Sequence, residues 1–322
     1  MHRARWNLFM LSGFLLACPP EEIAQETGDT DEPAVIVDTS DTATVPVEWT
    51  DIRLGSSAAL YDVYASGKGV YAVAGGGFIW EYKTATGWTA LDVDVSGYDM
   101  RGIWGQGKQE EMILVAVGEA GAVARYEAGV WSVEDLGTDS FEGVDATSEN
   151  DIYVVGWGGV YHYEYGTWSY ESQPDDERLN DVYAHSTGAF AVGEDGAIVQ
   201  RVSGNWIAMD SPTEKNLYAV NGSAADDVWA VGVDGTVLHY DGSDWLETNS
   251  PTDFTLWDIY APADNAVYVV GSGGEAYVFD GSGWDELETG VVNNLYGVDG
   301  SVETAAWAVG NSGMALKYDA LD

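Results

Sequence analysis

Seven tryptophans recur along this chain at nearly constant intervals, and this spacing constrains the fold more than any other feature. They are Trp49, Trp88, Trp131, Trp168, Trp206, Trp245 and Trp284. Subtraction gives gaps of 39, 43, 37, 38, 39 and 39 residues. A repeat of about 40 residues is typical of the four-stranded blades of β-propellers. The chain is therefore predicted to consist of repeated small sheets.

Each repeat has the pattern of four short strands separated by glycine-bearing turns. The first strand carries two apolar residues three positions apart, such as Leu60 and Val63, which a regular strand would place on opposite faces. The second strand is a run of β-branched and aromatic residues, and a turn such as Glu194-Asp195-Gly196 follows it. The repeated tryptophan opens the fourth strand. No repeat shows helical periodicity, so we predict an all-β fold of four-stranded antiparallel blades.

The last repeat lacks a fourth strand, and the N-terminal region has one to spare. This repeat begins at Leu295 and runs to Asp322 without the tryptophan that opens a fourth strand. Trp49 precedes Leu60 by 11 residues, the distance found between tryptophan and next first strand in four other repeats. We therefore expect residues 45–50 to complete the last blade and close the ring. This arrangement gives a seven-bladed β-propeller over residues 45–322.

Residues 1–17 have the organisation of a lipoprotein signal peptide. A basic start with Arg3 and Arg5 precedes the apolar run Leu8–Leu16, which is too short to span a bilayer. The sequence Leu-Leu-Ala-Cys that ends at Cys18 resembles a bacterial lipobox, whose cysteine is lipidated. An ordinary secretory signal is the alternative. Because Cys18 is the only cysteine, the sequence excludes disulfides, thiol catalysis and cysteine-ligated metals.

Residues 18–44 are predicted to form a disordered tether. The segment is rich in Asp, Glu and Thr and has no aromatic residue, so it cannot bury enough apolar surface to fold. Pro19 follows the predicted lipidated cysteine, which resembles the sorting pattern of many Gram-negative outer-membrane lipoproteins. We expect an exported protein, lipid-anchored in the outer membrane or at the cell surface of a Gram-negative bacterium. The anchor would be its only contact with the membrane.

The charge balance excludes some partners. Lys and Arg together number 12 and Asp and Glu 54, giving a formal net charge of −42. Such a surface repels phosphate backbones and anionic lipid headgroups, so we expect no nucleic-acid binding. No cofactor is expected. Weak Ca²⁺ binding is one use for so many carboxylates, although the ligand spacing of a calcium loop does not occur.

The repeat resembles a bacterial consensus of the form D-V-W-A-V-G-x-x-G-x-I-x-H-Y-D-G-x-W, represented here by Asp227–Trp245. On this motif the chain is similar to propellers with degenerate Asp-box (BNR-type) repeats and to the propellers of photosystem II assembly factors. Lipoproteins with an acidic tether before such a domain are familiar in myxobacteria, so the resemblance implies a bacterial surface lipoprotein. The segment Tyr240–Trp245 is a shortened Asp-box, which lacks the flanking Ser/Thr positions of the full motif.

Positions that differ between repeats are the candidates for binding, because positions filled alike in every repeat build the blades. One such first-strand column is Tyr61, Arg101, Glu142, Asn180, Tyr218, Trp257 and Tyr296. Exposed aromatic residues with scattered polar groups are typical of recognition surfaces. We predict the following partner-binding residues: Tyr61, Arg101, Tyr218, Trp257, Tyr296, Trp157 and Phe254. Packing between blades is the alternative. Arginines in this region, including Arg178, also indicate a less acidic face.

The next position along the first strand is small or acidic. Asp62, Asp181 and Asp258 are predicted to lie near the propeller axis, where they would line a water-filled channel or hold a cation. The alternative, slightly favoured, is that each carboxylate accepts hydrogen bonds from neighbouring amides. His162 and His239 share one third-strand position, which favours a structural role, and no metal site is predicted.

No catalytic constellation stands out in the sequence. There is no Gly-x-Ser-x-Gly elbow, and abundant carboxylates do not by themselves identify a glycosidase pair. We therefore predict a monomeric, non-enzymatic module that binds a protein or a polysaccharide, or acts as a scaffold. The alternative is a carbohydrate-active hydrolase or lyase with a carboxylate-based site on the propeller face.

Overall fold

The computed structural model describes residues 49–67, 69–95, 97–107, 111–137, 139–174, 177–301 and 305–318. The predicted signal peptide, Cys18 and the tether lie outside these residues, so the expectations about them remain predictions. No helix in the described ranges has the length and apolar composition needed to cross a membrane.

The described residues form 28 strands in seven four-stranded antiparallel sheets, which confirms the predicted fold class. In chain order the strands are β1 Trp49–Asp51, β2 Leu60–Ser66, β3 Gly69–Ala74, β4 Phe78–Lys83, β5 Gly87–Ala90, β6 Met100–Gln106, β7 Ile113–Gly118, β8 Ala122–Glu127, β9 Val130–Asp135, β10 Phe141–Ser148, β11 Asp151–Gly156, β12 Gly159–Glu164, β13 Thr167–Glu171, β14 Leu179–His185, β15 Gly188–Gly193, β16 Ile198–Val202, β17 Asn205–Ala208, β18 Leu217–Ala224, β19 Asp227–Gly232, β20 Val237–Tyr240, β21 Trp245–Glu247, β22 Leu256–Ala263, β23 Ala266–Gly271, β24 Ala276–Phe279, β25 Trp284–Glu286, β26 Leu295–Ser301, β27 Ala305–Gly310 and β28 Met314–Tyr318.

The second and third strands of five blades are joined by a tight three-residue turn. These turns are Glu119–Gly121, Glu194–Gly196, Val233–Gly235, Ser272–Gly274 and Asn311–Gly313. In the blade-four turn both central residues have positive φ, 52° at Asp195 and 74° at Gly196, as a type I′ hairpin requires. Glycine is also needed for space there, because a Cβ on Gly196 would lie 2.0 Å from the Thr213 carbonyl oxygen.

The N-terminal strand closes the ring as predicted. In the seventh sheet the strand order is β1-β28-β27-β26, so the first strand of the chain is the outer strand of the last blade. Trp49 lies opposite Tyr318, the same pairing that joins Trp88 to Tyr82 in blade one. Closure therefore joins the two ends of the propeller in one sheet without leaving a blade incomplete.

The hydrophobic core lies between the blades rather than within them. Seven clusters of buried side chains each combine residues of two neighbouring blades. At the closing junction, Leu60 and Val63 of blade one pack with Trp307 and Val309 of blade seven. Since both faces of each sheet contact another blade, the second strands are nearly continuous apolar runs.

The prediction that the two apolar residues of a first strand face opposite sides is wrong, and a β-bulge is the reason. In blade one, Leu60 pairs with Ala74 and Val63 with Ala72, so the two residues share one face. The same register shift occurs at the start of the first strand in all seven blades. A bulge opposes two residues to one and leaves the extra residue unpaired. This extra residue belongs to the varied first-strand column.

The repeated tryptophans hold neighbouring blades together at the outer rim. Trp88 of blade one donates its Nε1–H to the Ile52 carbonyl oxygen of the preceding blade at 2.9 Å. Its ring also meets the Trp307 ring edge-on, with centroids 6.4 Å apart. Edge-on contacts to the preceding blade recur at Trp206, Trp245 and Trp284. The tryptophan spacing thus reflects packing of one blade on the next.

Candidate functional site

The bulges bring the varied first-strand column together at one end of the propeller axis. The unpaired residue of every bulge lines a single cavity of about 450 Å³, which we call the entry cavity. The seven residues, one from each blade, are Tyr61, Arg101, Glu142, Asn180, Tyr218, Trp257 and Tyr296. The cavity opens on the face that carries the links from fourth to first strands. A bulge re-aims the side chain that it leaves unpaired, and here it does so seven times.

One half of the cavity wall is an arc of four aromatic rings from blades five, six, seven and one. This aromatic arc consists of Tyr218, Trp257, Tyr296 and Tyr61. Successive ring centroids are 4.5, 5.7 and 6.2 Å apart. Trp257 donates its indole N–H to Ser272 Oγ at 2.9 Å, which fixes the plane of its ring. All four side chains are partly exposed, so part of each ring is available to a guest.

The arc continues into a charged segment at Arg101. Its guanidinium carbon lies 4.3 Å from the centroid of the Tyr61 ring, within cation–π range. Arg101 Nη2 is 3.1 Å from Glu119 Oε1 and 3.3 Å from Asp99 Oδ2. The Tyr61 hydroxyl donates to the same Asp99 carboxylate at 3.2 Å. One arginine is thus held between an aromatic ring and two carboxylates.

Arg178, the other arginine of the cavity wall, directly precedes the first strand of blade four. Its Nη2 lies 2.7 Å from Glu142 Oε1, and its Nη1 lies 3.5 Å from Glu194 Oε1. The guanidinium carbon is 4.8 Å from the centroid of the exposed Trp157 ring. Each arginine is thus bracketed by two carboxylates, and the expectation that this face is less acidic than the rest of the surface stays a prediction.

The three predicted channel carboxylates form the floor of the entry cavity. Asp62, Asp181 and Asp258 also line a second cavity of about 230 Å³ beyond them, so they separate the two spaces. Each carboxylate accepts a backbone N–H from the first strand of the next blade. These bonds run from Ile103 N to Asp62, from Val220 N to Asp181 and from Val298 N to Asp258, at 2.8, 2.9 and 2.6 Å. These carboxylates therefore accept hydrogen bonds from neighbouring amides, as the alternative interpretation expected, and they also line the channel.

Three other blades make the same connection two residues further along the first strand. Asp145, Asn221 and Asp299 each accept an N–H from the following blade: Ala184 N at 2.7 Å, Ala261 N at 3.0 Å and Ala65 N at 2.7 Å, respectively. Six junctions between blades therefore carry a side-chain bridge at one of two alternating positions. Blade two has Gly102 and Trp104 at these positions. A Cβ on Gly102 would lie 3.0 Å from the Glu142 carbonyl oxygen, which explains the small residue.

Burial raises the pKa of the five bridging carboxyls above the usual range of aspartate. The pKa of Asp62 and of Asp145 rises to about 7 and that of Asp299 to about 8, although two amide bonds to each act in the opposite direction. Burial also raises the pKa of Asp181 and Asp258 well above the ordinary value. Each side chain keeps some exposure to the channel, and this solvent contact limits the effect of burial.

Two predicted binding residues lie outside the entry cavity. The Trp157 and Phe254 side chains are 60% and 55% exposed, and neither lines the cavity wall. Trp157 lies in the turn after β11 and touches the site through Arg178, whereas Phe254 lies in the loop before β22. The first-strand position brings residues together because the bulge aims it at the axis. Loop residues have no such constraint.

The two histidines of the third-strand position contact carboxylates and aromatic rings. His162 Nε2 lies 2.7 Å from Asp151 Oδ1, and its ring stacks on Tyr153 with centroids 4.3 Å apart. His239 makes the corresponding pair of contacts with Asp227 and Trp229. Among the residues with described positions, no group of three or more His, Cys, Asp or Glu side chains is arranged to hold a metal ion.

Several residues of the site were not identified from the sequence. The bracketing acids Asp99, Glu119 and Glu194 come from turns and loops, so no strand periodicity marks them. The bridging residues Asp145, Asn221 and Asp299, in contrast, can be recognised from a pattern in the sequence. In blades three, five and seven a residue able to bridge appears two positions after a small residue, whereas in blades one, four and six it takes the earlier position.

Comparison with solved structures supports the fold. The chain is similar to YCF48 bound to D1 peptide, at 18% identity and a TM-score of 0.69 over 85% of this chain and 95% of that one. It is similar to virginiamycin B lyase from Staphylococcus aureus, at 12% identity and a TM-score of 0.75 over 85% and 99%. It is also similar to the WD40 repeats of RRP9, at 10% identity and a TM-score of 0.71 over 85% and 98%.

No protein-family model matches the chain. No curated protein matches it either. The similarity to solved structures therefore concerns the seven-bladed fold alone, and the function has to be argued from the site.

Proposed function

We propose that this protein is an exported, lipid-anchored binding module whose entry cavity receives a segment of a partner protein. The observation that carries the proposal is the entry cavity itself. Its wall is built from the one position that the bulge aims at the axis in every blade and that differs in identity between blades. A concave site with an aromatic wall and a few polar groups is the usual form of a ligand site.

The contacts within the cavity favour binding over catalysis. The floor carboxylates accept backbone N–H groups, and both arginines form ion pairs. Side chains held by such hydrogen bonds and ion pairs have fixed positions, which suits recognition of a partner. Aromatic residues and arginine are also the side chains that most often dominate the energetics of protein interfaces.

The structures that resemble this propeller favour a protein partner over a polysaccharide. One similar structure is of a propeller bound to a peptide, and others are WD40 propellers. A seven-bladed ring offers a rigid platform, so a segment can bind without ordering the site. Polysaccharide binding remains one outcome of the experiment below.

The export and anchoring part of the proposal rests on residues 1–44. Cys18 ends a lipobox-like sequence, Pro19 follows it, and the acidic segment to residue 44 would act as a spacer. Metabolic labelling with a fatty acid should mark the wild-type chain and leave Cys18→Ser unlabelled. Label retained in Cys18→Ser would refute lipidation at this residue. Cleavage of the wild-type protein by protease added to intact cells would show that the propeller lies on the outer surface of the cell.

The binding proposal is tested by cross-linking and capture with the full-length chain as bait. We expect the Trp257→Ala/Tyr296→Ala double variant to lose a specific partner that the wild type captures. The matched control is Phe254→Ala, which removes an exposed aromatic residue of the same face that does not line the cavity. Equal capture by wild type and double variant would show that the cavity is not the binding site. If the bait captures surface polysaccharide and no protein, the partner is a polysaccharide.

A carbohydrate-active lyase or hydrolase is the second candidate, favoured by one lyase among the similar structures and by Glu142. Burial raises the pKa of this cavity-lining carboxyl, while Arg178 acts in the opposite direction. A carboxyl that keeps its proton above the ordinary range of glutamate would suit proton transfer. Turnover of a glycan panel that Glu142→Gln abolishes would establish this function. Absence of turnover by the wild type would leave binding as the role of the site.

A further inference from the structure

The charges around the entry cavity are strongly unbalanced. Five carboxyls and two guanidinium groups line the cavity itself. The carboxyls are those of Asp62, Glu142, Asp181, Glu194 and Asp258. Two more carboxyls, those of Asp99 and Glu119, contact Arg101 from behind. The wall therefore presents more acid than base, and the excess lies at the floor and on the side opposite the aromatic arc.

Among the residues that the structure describes, no unpaired cation offsets this excess at the cavity. Arg101 and Arg178 are each paired with two carboxylates, and their distances to these partners range from 2.7 to 3.5 Å. Lys215, another basic residue of this face, lies 3.7 Å from Asp234. An anionic guest would have to compete with these internal ion pairs, whereas a cationic guest would not.

The floor carboxylates keep acceptor capacity for a guest. Asp62 accepts one N–H at each oxygen, from Val63 and from Ile103. Because a carboxylate offers about four lone-pair directions, two remain beyond the amide bonds. Asp258 has the same arrangement with Ile259 and Val298. Both side chains line the entry cavity, so their free acceptor directions are within reach of a guest there.

The aromatic arc suits the other part of such a guest. An alkyl stem or a guanidinium plane packs well on the faces of tryptophan and tyrosine rings, and a cation near these faces is attracted by their quadrupole. Arg101 already stacks on Tyr61 in this way, which shows that the arc accepts a guanidinium group. The whole-chain charge of −42 adds a long-range attraction for basic partners.

We infer that the entry cavity binds a basic side chain, lysine or arginine, presented by a partner protein. The stem lies along the aromatic arc formed by Tyr218, Trp257, Tyr296 and Tyr61, and the charged head points towards the floor carboxyls of Asp62 and Asp258. A neighbouring cation shifts these carboxyls towards their ionised form. This inference rests on the proposed binding function of the cavity and names the chemistry of its partner. It also predicts that binding weakens with added salt, because opposite charges attract less when screened.

The test compares blocked basic amino acids with neutral counterparts of similar shape and with an acidic one. The full-length chain, carrying Cys18→Ser to prevent lipidation, is labelled with ¹⁵N and titrated with N-acetyl amides of arginine, lysine, citrulline, norleucine and glutamate. The reporters are the Trp257 indole N–H, assigned by its loss in Trp257→Phe, and the Ala219 amide of the cavity wall. The Trp245 indole at the outer rim serves as an internal reference.

We expect saturable shifts at both reporters with the arginine and lysine compounds. Their Kd values should be about fivefold or more below those of the neutral isosteres, and about 500 mM salt should remove most of this difference. Asp258→Asn should weaken arginine binding about threefold or more and leave citrulline binding unchanged. The control Phe254→Ala should bind as the wild type does.

Three results would overturn the inference. These are equal affinity for charged and neutral compounds, tighter binding of the glutamate compound, and no saturable shift with either basic compound. None of them decides the proposed function, which is judged by capture of the partner with and without Trp257 and Tyr296. If capture of the partner needs Trp257 and Tyr296 but the cavity prefers neutral or acidic compounds, the proposed binding function stands. The inference of a basic guest is then rejected.

Discussion

The outer rim and the entry cavity use aromatic residues in opposite ways. At the rim, tryptophans recur once per blade, and Trp88 packs edge-on against the preceding blade and bonds to its backbone. At the cavity, Trp257 is an aromatic residue in a column that also contains arginine, glutamate and asparagine. The comparison teaches that recurrence along the repeat marks residues that build the ring. Variation at a geometrically fixed position marks residues that are free to bind.

The largest expected effect contrasts one tryptophan from each region. Trp245→Ala removes a buried rim side chain that packs on Phe190 and Tyr240, so we expect a loss of about 3–5 kcal/mol in the free energy of unfolding. Trp257→Ala removes a partly exposed ring and should cost clearly less. Urea unfolding of both variants measures the difference. Similar losses in the two variants would break the distinction between rim and cavity.

A smaller loss is expected from the bridge that closes the ring between blades seven and one. Asp299→Ala leaves the Ala65 N–H without its partner, which costs about 1–3 kcal/mol for a buried donor. Asp299→Asn keeps an acceptor oxygen and should recover most of the stability. If alanine and asparagine destabilise the protein equally, the hydrogen bond is not what the residue contributes.

The bridging carboxyls should also make stability depend on pH. Burial holds the pKa of Asp62, Asp145 and Asp299 near 7 to 8, so the folded state keeps protons that the unfolded state releases above about pH 4. Stability is therefore expected to fall as pH rises from 5 to 8. One retained proton contributes about 1.4 kcal/mol per pH unit, and solvent contact in the channel reduces this value. Urea midpoints at the two pH values measure the slope.

The matched control for this pH dependence is a neutral bridge that already exists in the chain. Asn221 accepts the Ala261 N–H without titrating, so a change of Asp145 to the same residue should keep the junction and flatten the slope. A slope that Asp145→Asn leaves unaltered, or stability that rises towards pH 8, would contradict the assignment of the shift to the bridging carboxyls.

The fold could be predicted in detail because its signals are local and repeated. Strand number, turn positions and the closing role of Trp49 all follow from spacing, and each is present in the structure. The bulge could not be predicted, because it changes the pairing of Leu60 and Val63 without changing any spacing in the sequence. Its consequence is large, since it decides which residue of the first strand faces the axis.

The candidate site could be predicted only in part. The first-strand column was identified because a repeat places equivalent positions at equivalent radii, and all seven members do line one cavity. Asp99, Glu119 and Glu194, which pair with Arg101 and Arg178, were not, because they lie in turns and loops that no strand pattern connects to the column. The local charge depends on those partners as well as on the arginines, so the column alone could not give the charge of this face.

The most direct test of the account is the Kd of N-acetyl-arginine amide for the Trp257→Ala chain compared with the wild type, read at the Ala219 amide. Both proteins should be measured below their unfolding transitions, so that loss of binding is not loss of structure. The account predicts binding about tenfold weaker in Trp257→Ala, because the ring that holds the guest is gone while the rim that holds the fold is intact. An unchanged Kd would contradict it.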